Sequence, residues 1–201
     1  MCLLSALGLT AYNLWSDARA GAAAESVLQQ MQTSQNDAVQ NSAAEDASDE
    51  EIPDYILHPE MDMPAQEIDG QYYIGTLQIE PFDLSLPIIS EWSYPGLQIA
   101  PCRYTGSVYL NNMIIAAHNY TSHFGQLKNL SQGDAITFTD LDGNTFHYQV
   151  MEIEILPPYA VREMISGDWD LTLFTCTIGG QTRVTVRCKR LASDSTISVP
   201  K

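Results

Sequence analysis

Leu171-Thr-Leu-Phe-Thr-Cys176-Thr-Ile-Gly-Gly-Gln-Thr-Arg183-Val-Thr-Val-Arg187-Cys188 reads as two β-strands joined by a short loop around Gly179-Gly180. Side chains alternate across a strand. Leu171, Leu173 and Thr175 therefore share one face, and Thr172, Phe174 and Cys176 the other. In the second strand Val184, Val186 and Cys188 face one way, and Arg183, Thr185 and Arg187 the other. If the apolar faces meet the core, Cys176 and Arg183 both point away from it. A tight antiparallel hairpin then sets them almost opposite each other, on strands about 4.8 Å apart. Arg187 lies on the same face four residues further along, so geometry favours Arg183 as the partner of the thiol. A cysteine at a strand end beside a guanidinium is a candidate nucleophile rather than core filler.

Such a nucleophile needs a base or acid nearby. The chain offers His58, His118, His123 and His147. His58 lies in a Pro-containing lead-in, and His147 within an alternating strand where a structural role is expected. His118 ends the apolar run Met113-Ile-Ile-Ala-Ala117, immediately before the polar loop Asn119-Tyr-Thr-Ser-His123. Catalytic side chains commonly sit at such strand ends, where a rigid scaffold projects them into a cleft. His123 lies in the same loop, and spacing alone does not separate it from His118.

Outward from these motifs the pattern is mostly β. Runs at Gln71–Ile79, Asp83–Ile89, Ser107–Leu110, Met113–Ala117, Ala135–Thr139 and Thr145–Leu156 read as strands, with Met113–Ala117 central because it is uniformly apolar. Short strands with frequent turns predict a barrel or sandwich. Two short helical pieces are expected, near 124–130 and 159–166. Asp140-Leu-Asp142-Gly-Asn144 lacks the downstream bidentate Glu of a calcium loop and reads as a hairpin turn. The four cysteines show no C-x-x-C pair and no ligand spacing with the histidines, so no metal or other cofactor is expected.

The 201 residues carry a formal charge of −16, which argues against a nucleic-acid partner, because phosphate binding needs clustered Lys and Arg. Residues 1–16 (MCLLSALGLTAYNLWS) are apolar and end in Tyr12 and Trp15, as at a membrane interface. They read as the outer part of a single-pass anchor. One alternative is a cleaved signal peptide, with Ala18-Arg-Ala20 as a small-x-small site. The anchor and the signal peptide both place the domain outside the cytoplasm, at the cell membrane in the anchored case; the other alternative is a buried amphipathic helix. Residues 17–67 are expected to be helix-prone up to Met31, then an acidic disordered spacer over 32–51, then an extended lead-in. The domain itself spans 68–193, with a tail at 194–201.

Thr172-Leu-Phe-Thr-Cys176 followed by Arg183 resembles the Thr-Leu-x-Thr-Cys…Arg signature of the sortases. Ile114-Ile-Ala-Ala-His118-Asn-Tyr-Thr-Ser-His-Phe124-Gly-Gln-Leu127 is similar to the segment around their catalytic histidine. The early strands Tyr73–Ile79 and Leu84–Ile88 match that family's opening, and the resemblance covers about 70–191. It implies a closed eight-stranded β-barrel with one or two short helices, and an extracellular cysteine transpeptidase of Gram-positive-type bacteria. By the resemblance Cys176 would attack a C-terminal sorting motif of an exported protein and form a thioester. An amine of a cell-wall precursor or a pilin would resolve it. His118 would shuttle the proton, and Arg183 would hold the substrate backbone and the oxyanion. Ala117 stands where many relatives have Gly, and the Cys-to-Arg loop is compact; His118-Asn119 leans towards class B.

Around the candidate site, Thr175 and Asn119 are expected to touch substrate. The segment between Leu156 and Asp170 is expected to select it, with Tyr159, Met164 and Ile165 lining an apolar groove. Cys176 ends a strand, so no helix dipole assists its ionisation; a mostly protonated thiol and a slow enzyme are expected. The rival readings are a cysteine peptidase with water as acceptor and a non-catalytic exported binding module. Cys102 and Cys188 are expected to be buried free thiols, with a disulfide between them the alternative outside the cell.

Overall fold

A computed structural model describes residues 2–42 and 52–192. Eight strands close a barrel: β2 (Gln71–Ile79), β3 (Leu84–Ile89), β4 (Cys102–Thr105), β5 (Met113–Ala117), β6 (Ala135–Asp140), β7 (Thr145–Leu156), β8 (Leu171–Cys176) and β9 (Arg183–Arg190). A short β1 (Gln66–Ile68) flanks them. Around the barrel the order is β2-β3-β4-β5-β8-β9-β7-β6 and back to β2. The pairs are antiparallel except β3–β4 and β5–β8. The parallel β5–β8 pair matters most for the site, because two parallel neighbours end at the same rim of the sheet.

Closure depends on β2 changing partners along one edge. Gln71–Tyr73 pair with β1, and Gly75–Ile79 pair with β6, with the register shifting between Tyr73 and Gly75. Gly75 holds φ at +150°, and a Cβ there would run into the Thr139 carbonyl oxygen. Only glycine lets the two strands approach that closely. The barrel interior is filled by alternating residues such as Leu77, Leu86, Ile115, Phe138, Phe146 and Leu173, all essentially without exposure.

Outside the barrel lies α1 (Cys2–Ser42), a single helix of 41 residues. Ala20, Ala24, Val27 and Met31 form its buried stripe, spaced four, three and four apart as one face of an α-helix requires. Val27 and Met31 join a second apolar cluster with Tyr73, Ile89, Leu97 and Ala116. Thus α1 and the outer face of the sheet share a core of their own.

Several expectations need correction. Residues 32–42, expected to be disordered, continue α1; Ala and Gln are good helix formers, and Ser34 Oγ accepts a hydrogen bond from Gln66 Nε2 at 2.9 Å. Residues 43–51 and 193–201 fall outside the described residues. Ser107–Leu110 is a turn, with the strand at Cys102–Thr105 instead. Local bonds hold it: Ser107 N–H donates to Asn112 Oδ1 at 2.9 Å and Tyr109 N–H to Ser107 Oγ at 3.1 Å, the competition by which short polar side chains displace strand pairing. The extended lead-in contains a helical turn, α2 (Asp54–Leu57), and α3 (Tyr94–Leu97) was not foreseen. The expected helix near 124–130 is a short 3-10 turn at Leu127–Asn129, and that near 159–166 is α4 (Val161–Ile165). The Asp140–Asn144 run is a turn: the Asp140 carboxylate accepts from Asn144 N–H, Asn144 Nδ2 and the Tyr109 hydroxyl at 2.8–2.9 Å.

Candidate active site

The strand register assembles the site. Cys176 pairs directly with Arg183 across the antiparallel β8–β9 hairpin, as parity predicts. Ala117 pairs with Thr175 across the parallel β5–β8 contact. His118 and Cys176 each follow those residues, so the two strands deliver them side by side at one rim. The hairpin loop is closed by Thr177 N–H donating to the Thr182 carbonyl at 2.9 Å and by the two Thr hydroxyls 2.9 Å apart. Gly179 and Gly180 turn it at φ +85° and +70°, left-handed values that suit glycine. Cys176, His118 and Arg183 together line a cavity of about 630 Å³.

The four histidines separate cleanly. His58 is exposed, 3.9 Å from Glu60. His147 is exposed on β7, with Nδ1 3.3 Å from Thr137 Oγ1. His123 is fully buried; the backbone of Ala20 and Ile99 lies near the ring, but among the described residues neither ring nitrogen has a partner in good hydrogen-bond geometry. Burial pushes His123 down to about 4. His118 alone among them lines the cavity. Partial burial lowers its pKa as well, which keeps the imidazole neutral and able to accept a proton at neutral pH.

The remaining lining is apolar. Trp92, Tyr94, Tyr104 and Phe174 supply an aromatic group, linked edge-on: Trp92–Tyr94 at 4.9 Å, Trp92–Tyr104 at 6.2 Å and Tyr104–Phe174 at 5.5 Å between centroids. Pro158, Val161 and Met164 supply an aliphatic group from the β7–β8 connection. A thiol, a neutral imidazole and a guanidinium at the mouth of such a cavity can cleave an acyl bond of an extended peptide whose apolar side chains fill the groove. A family model described as the Sortase domain matches residues 77–191, more than half of the chain.

The chain belongs to the sortase family. It is a sortase-type cysteine transpeptidase, and its mostly β, closed eight-stranded barrel is the sortase fold. Among solved structures, it resembles sortase C1 from Streptococcus agalactiae at 30% identity and a TM-score of 0.55, covering 64% of this chain and 72% of that one. Streptococcus pneumoniae sortase C, whose description mentions pilin substrate specificity, matches at 27% identity and 0.53, covering 62% and 72%. A Clostridium perfringens sortase D5 transpeptidase shares the fold at 23% identity and 0.55, covering 69% and 88%. These three are named as C- and D-type sortases, so they give no support to the lean towards class B. No curated protein sequence matches this chain.

Not every candidate substrate residue of this sortase reaches the cavity. Met164 lines it. Thr175 is buried and its hydroxyl donates to the Ala117 carbonyl at 2.8 Å, tying β8 to β5 behind the site. It ties together the strands that carry Cys176 and His118, and its hydroxyl proton is committed to that bond. Tyr159 and Ile165 are exposed, and Asn119 also faces solvent; none of the three is among the lining residues. The aromatic group went unforeseen. Phe174 was legible from parity with Cys176, but Trp92, Tyr94 and Tyr104 come from a loop, α3 and β4, all far away in sequence.

Arg183 and Arg187 differ in their bonds. Arg183 is half-buried, and its Nη1 makes two long bonds, to the Gly180 and Thr182 carbonyls at 3.4 and 3.3 Å. Arg187 is buried under α4, with Nε on Glu154 Oε1 at 2.7 Å, Nη1 on the Met164 carbonyl at 2.7 Å and Thr172 Oγ1 at 3.2 Å, and Nη2 on the Glu163 carbonyl at 2.8 Å. Cys102 and Cys188 are buried free thiols, each in a different apolar cluster.

Proposed function

We propose that this sortase cuts a sorting motif near the C-terminus of an exported protein and joins the new end to an amine of a cell-wall precursor or a pilin. The observation that carries the reading is the convergence of Cys176, His118 and Arg183 on one apolar-walled cavity. The thiol proton passes to the neutral His118 imidazole as Cys176 Sγ bonds to the scissile carbonyl carbon. Arg183 exchanges its two long bonds to its own loop for the substrate backbone and the developing oxyanion. Collapse breaks the C–N bond, His118 returns the proton to the leaving amine, and a thioester on Cys176 remains. The incoming amine gives its proton to His118, attacks the thioester and releases the thiol. The aromatic and aliphatic groups of the cavity receive the apolar part of the motif.

The proposed location is the outer surface of the cell membrane. Leu9, Tyr12, Leu14 and Trp15 stand exposed on α1, an apolar and aromatic composition suited to a membrane interface. Among the described residues, no helix is long and apolar enough to cross a membrane. A peptide-library cleavage assay with and without an added amine tests the reaction. The reading requires a ligated product with amine present, and loss of cleavage in Cys176→Ala and His118→Ala. Release of hydrolysed peptide alone, unchanged by amine, would instead make the protein a peptidase.

A further inference from the structure

The loop that follows His118 is held from outside by α1. Within the loop, Phe124 N–H donates to the His118 carbonyl at 3.2 Å, and His123 and Gly125 N–H donate to the Tyr120 carbonyl at 3.0 and 2.8 Å. The two amides at its tip find their partner about a hundred residues earlier in the chain. The Asp17 carboxylate accepts Thr121 N–H and Ser122 N–H, each at 3.0 Å, and the Ser122 hydroxyl at 2.6 Å. The Ser122 hydroxyl also lies 3.0 Å from the Asp17 carbonyl oxygen. One turn further along α1, Gly21 fits against Ser122; a methyl group there would stand 3.0 Å from Ser122 Cβ. Burial by itself would raise the Asp17 pKa, but the bonds from Ser122 and Thr121 outweigh it and hold the carboxyl below its ordinary value, ionised. Hydrogen bonds to an ionised acceptor are roughly twice as strong as neutral ones.

At its base the loop is anchored by the buried His123 and Phe124. The Tyr120 ring contacts both imidazoles, 5.0 Å from His118 and 5.6 Å from His123 between centroids. A loop pinned at base and tip leaves its first residue little freedom.

We propose that Asp17 is a positioning residue for His118: by fixing the Thr121-Ser122 tip to α1, it holds the imidazole in place beside Cys176. The idea rests on the reading of His118 as the proton shuttle. It makes α1 part of the active-site scaffold, so that displacing the helix loosens the histidine. The groups that face His118 are Cys176 and Arg183 in the cavity and Tyr120 and His123 on its own loop.

The test uses the full chain with Asp17→Ala and Asp17→Asn. Two readouts are taken: the NMR titration of the His118 ring, and steady-state kinetics on a peptide from the library assay. Asp17→Ala should lower kcat about ten- to a hundredfold with the peptide KM changed less than about twofold, the signature of lost orientation. The His118 titration should move up towards the ordinary histidine value, because a loosened loop readmits water to a ring that burial holds low. Asp17→Asn keeps one acceptor oxygen and should fall between, and it decides the matter alone if the alanine variant does not fold. Unchanged His118 titration and unchanged kcat in Asp17→Asn and in any folded Asp17→Ala would overturn the proposal. The titration needs no turnover, so it reads the clamp even if His118→Ala retains activity, the outcome that would sink the proposed mechanism instead.

Discussion

The outward face of the β8–β9 hairpin has two ends with opposite fates. At the loop end, Cys176 and Arg183 sit half-buried over a cavity, and among the described residues the guanidinium makes two long bonds, both to its own loop. At the far end, Arg187 lies under α4 at 2% exposure, its guanidinium shared among four acceptors. Residue type, strand and face are the same. What differs is whether a helix covers them. A buried guanidinium must have its donors satisfied where it stands, so Arg187 serves to dock α4 and Arg183 keeps donors that a substrate can claim. The loop after β5 repeats the contrast, with His118 on the cavity and His123 sealed beneath the tip.

The contrast breaks most visibly at Arg183. Arg183→Ala should lower kcat by about two to three orders of magnitude, the scale of losing an oxyanion donor, while stability changes by less than about 0.5 kcal/mol. Peptide turnover and chemical denaturation on the same preparation measure both. Arg187→Ala should do the reverse. It strands the buried Met164 carbonyl and the partly buried Glu154 carboxylate, so stability should fall by about 3 kcal/mol, and the surviving folded fraction should keep most of its turnover per molecule. A variant in which stability and turnover fall together at Arg183 would erase the distinction.

A smaller effect sharpens the same contrast between the two histidines. His123 is pushed down from 6.5 to about 4 by burial and then by His118, whereas the unfolded chain protonates near the ordinary value. Between those two values the unfolded chain binds more protons, so stability is fully present above about pH 6.5 and is lost as pH falls towards 4. The expected loss is about 3 kcal/mol over that window. Denaturation across pH should show a clearly steeper slope in the wild type than in His123→Asn, where only the lowered His118 still contributes with the same sign.

How much of this was legible in the sequence follows from the range of each cause. Strand parity and the Gly-Gly loop are local, and they placed Cys176 opposite Arg183 correctly. The apolar run ending at His118 marked the strand end that lines the cavity together with Cys176. Parity could not say that α4 would cover Arg187, because that contact joins β9 to a helix more than twenty residues away. Parity puts Thr175 on the core face with Leu171 and Leu173, so the expectation that it touches substrate ran against its own strand pattern, and its hydroxyl is indeed tied to the Ala117 carbonyl on the neighbouring parallel strand. Ser107–Leu110 has strand composition, but Ser107 and Asn112 hold it as a turn through their own side chains. Asp17 carries no sequence signal at all: an acidic residue on an Ala-rich helix looks solvated until the loop 104 residues later is seen against it.

The central claim is that Cys176 carries the acyl group. Incubating the protein with the cleaved library peptide, quenching in acid and measuring intact mass tests it most directly. The account predicts an adduct equal to the peptide portion before the scissile bond, mapping to the fragment that contains Cys176, discharged by an added amine and absent in Cys176→Ala. Cleavage that persists in Cys176→Ala, or an adduct that maps to another residue, would contradict it.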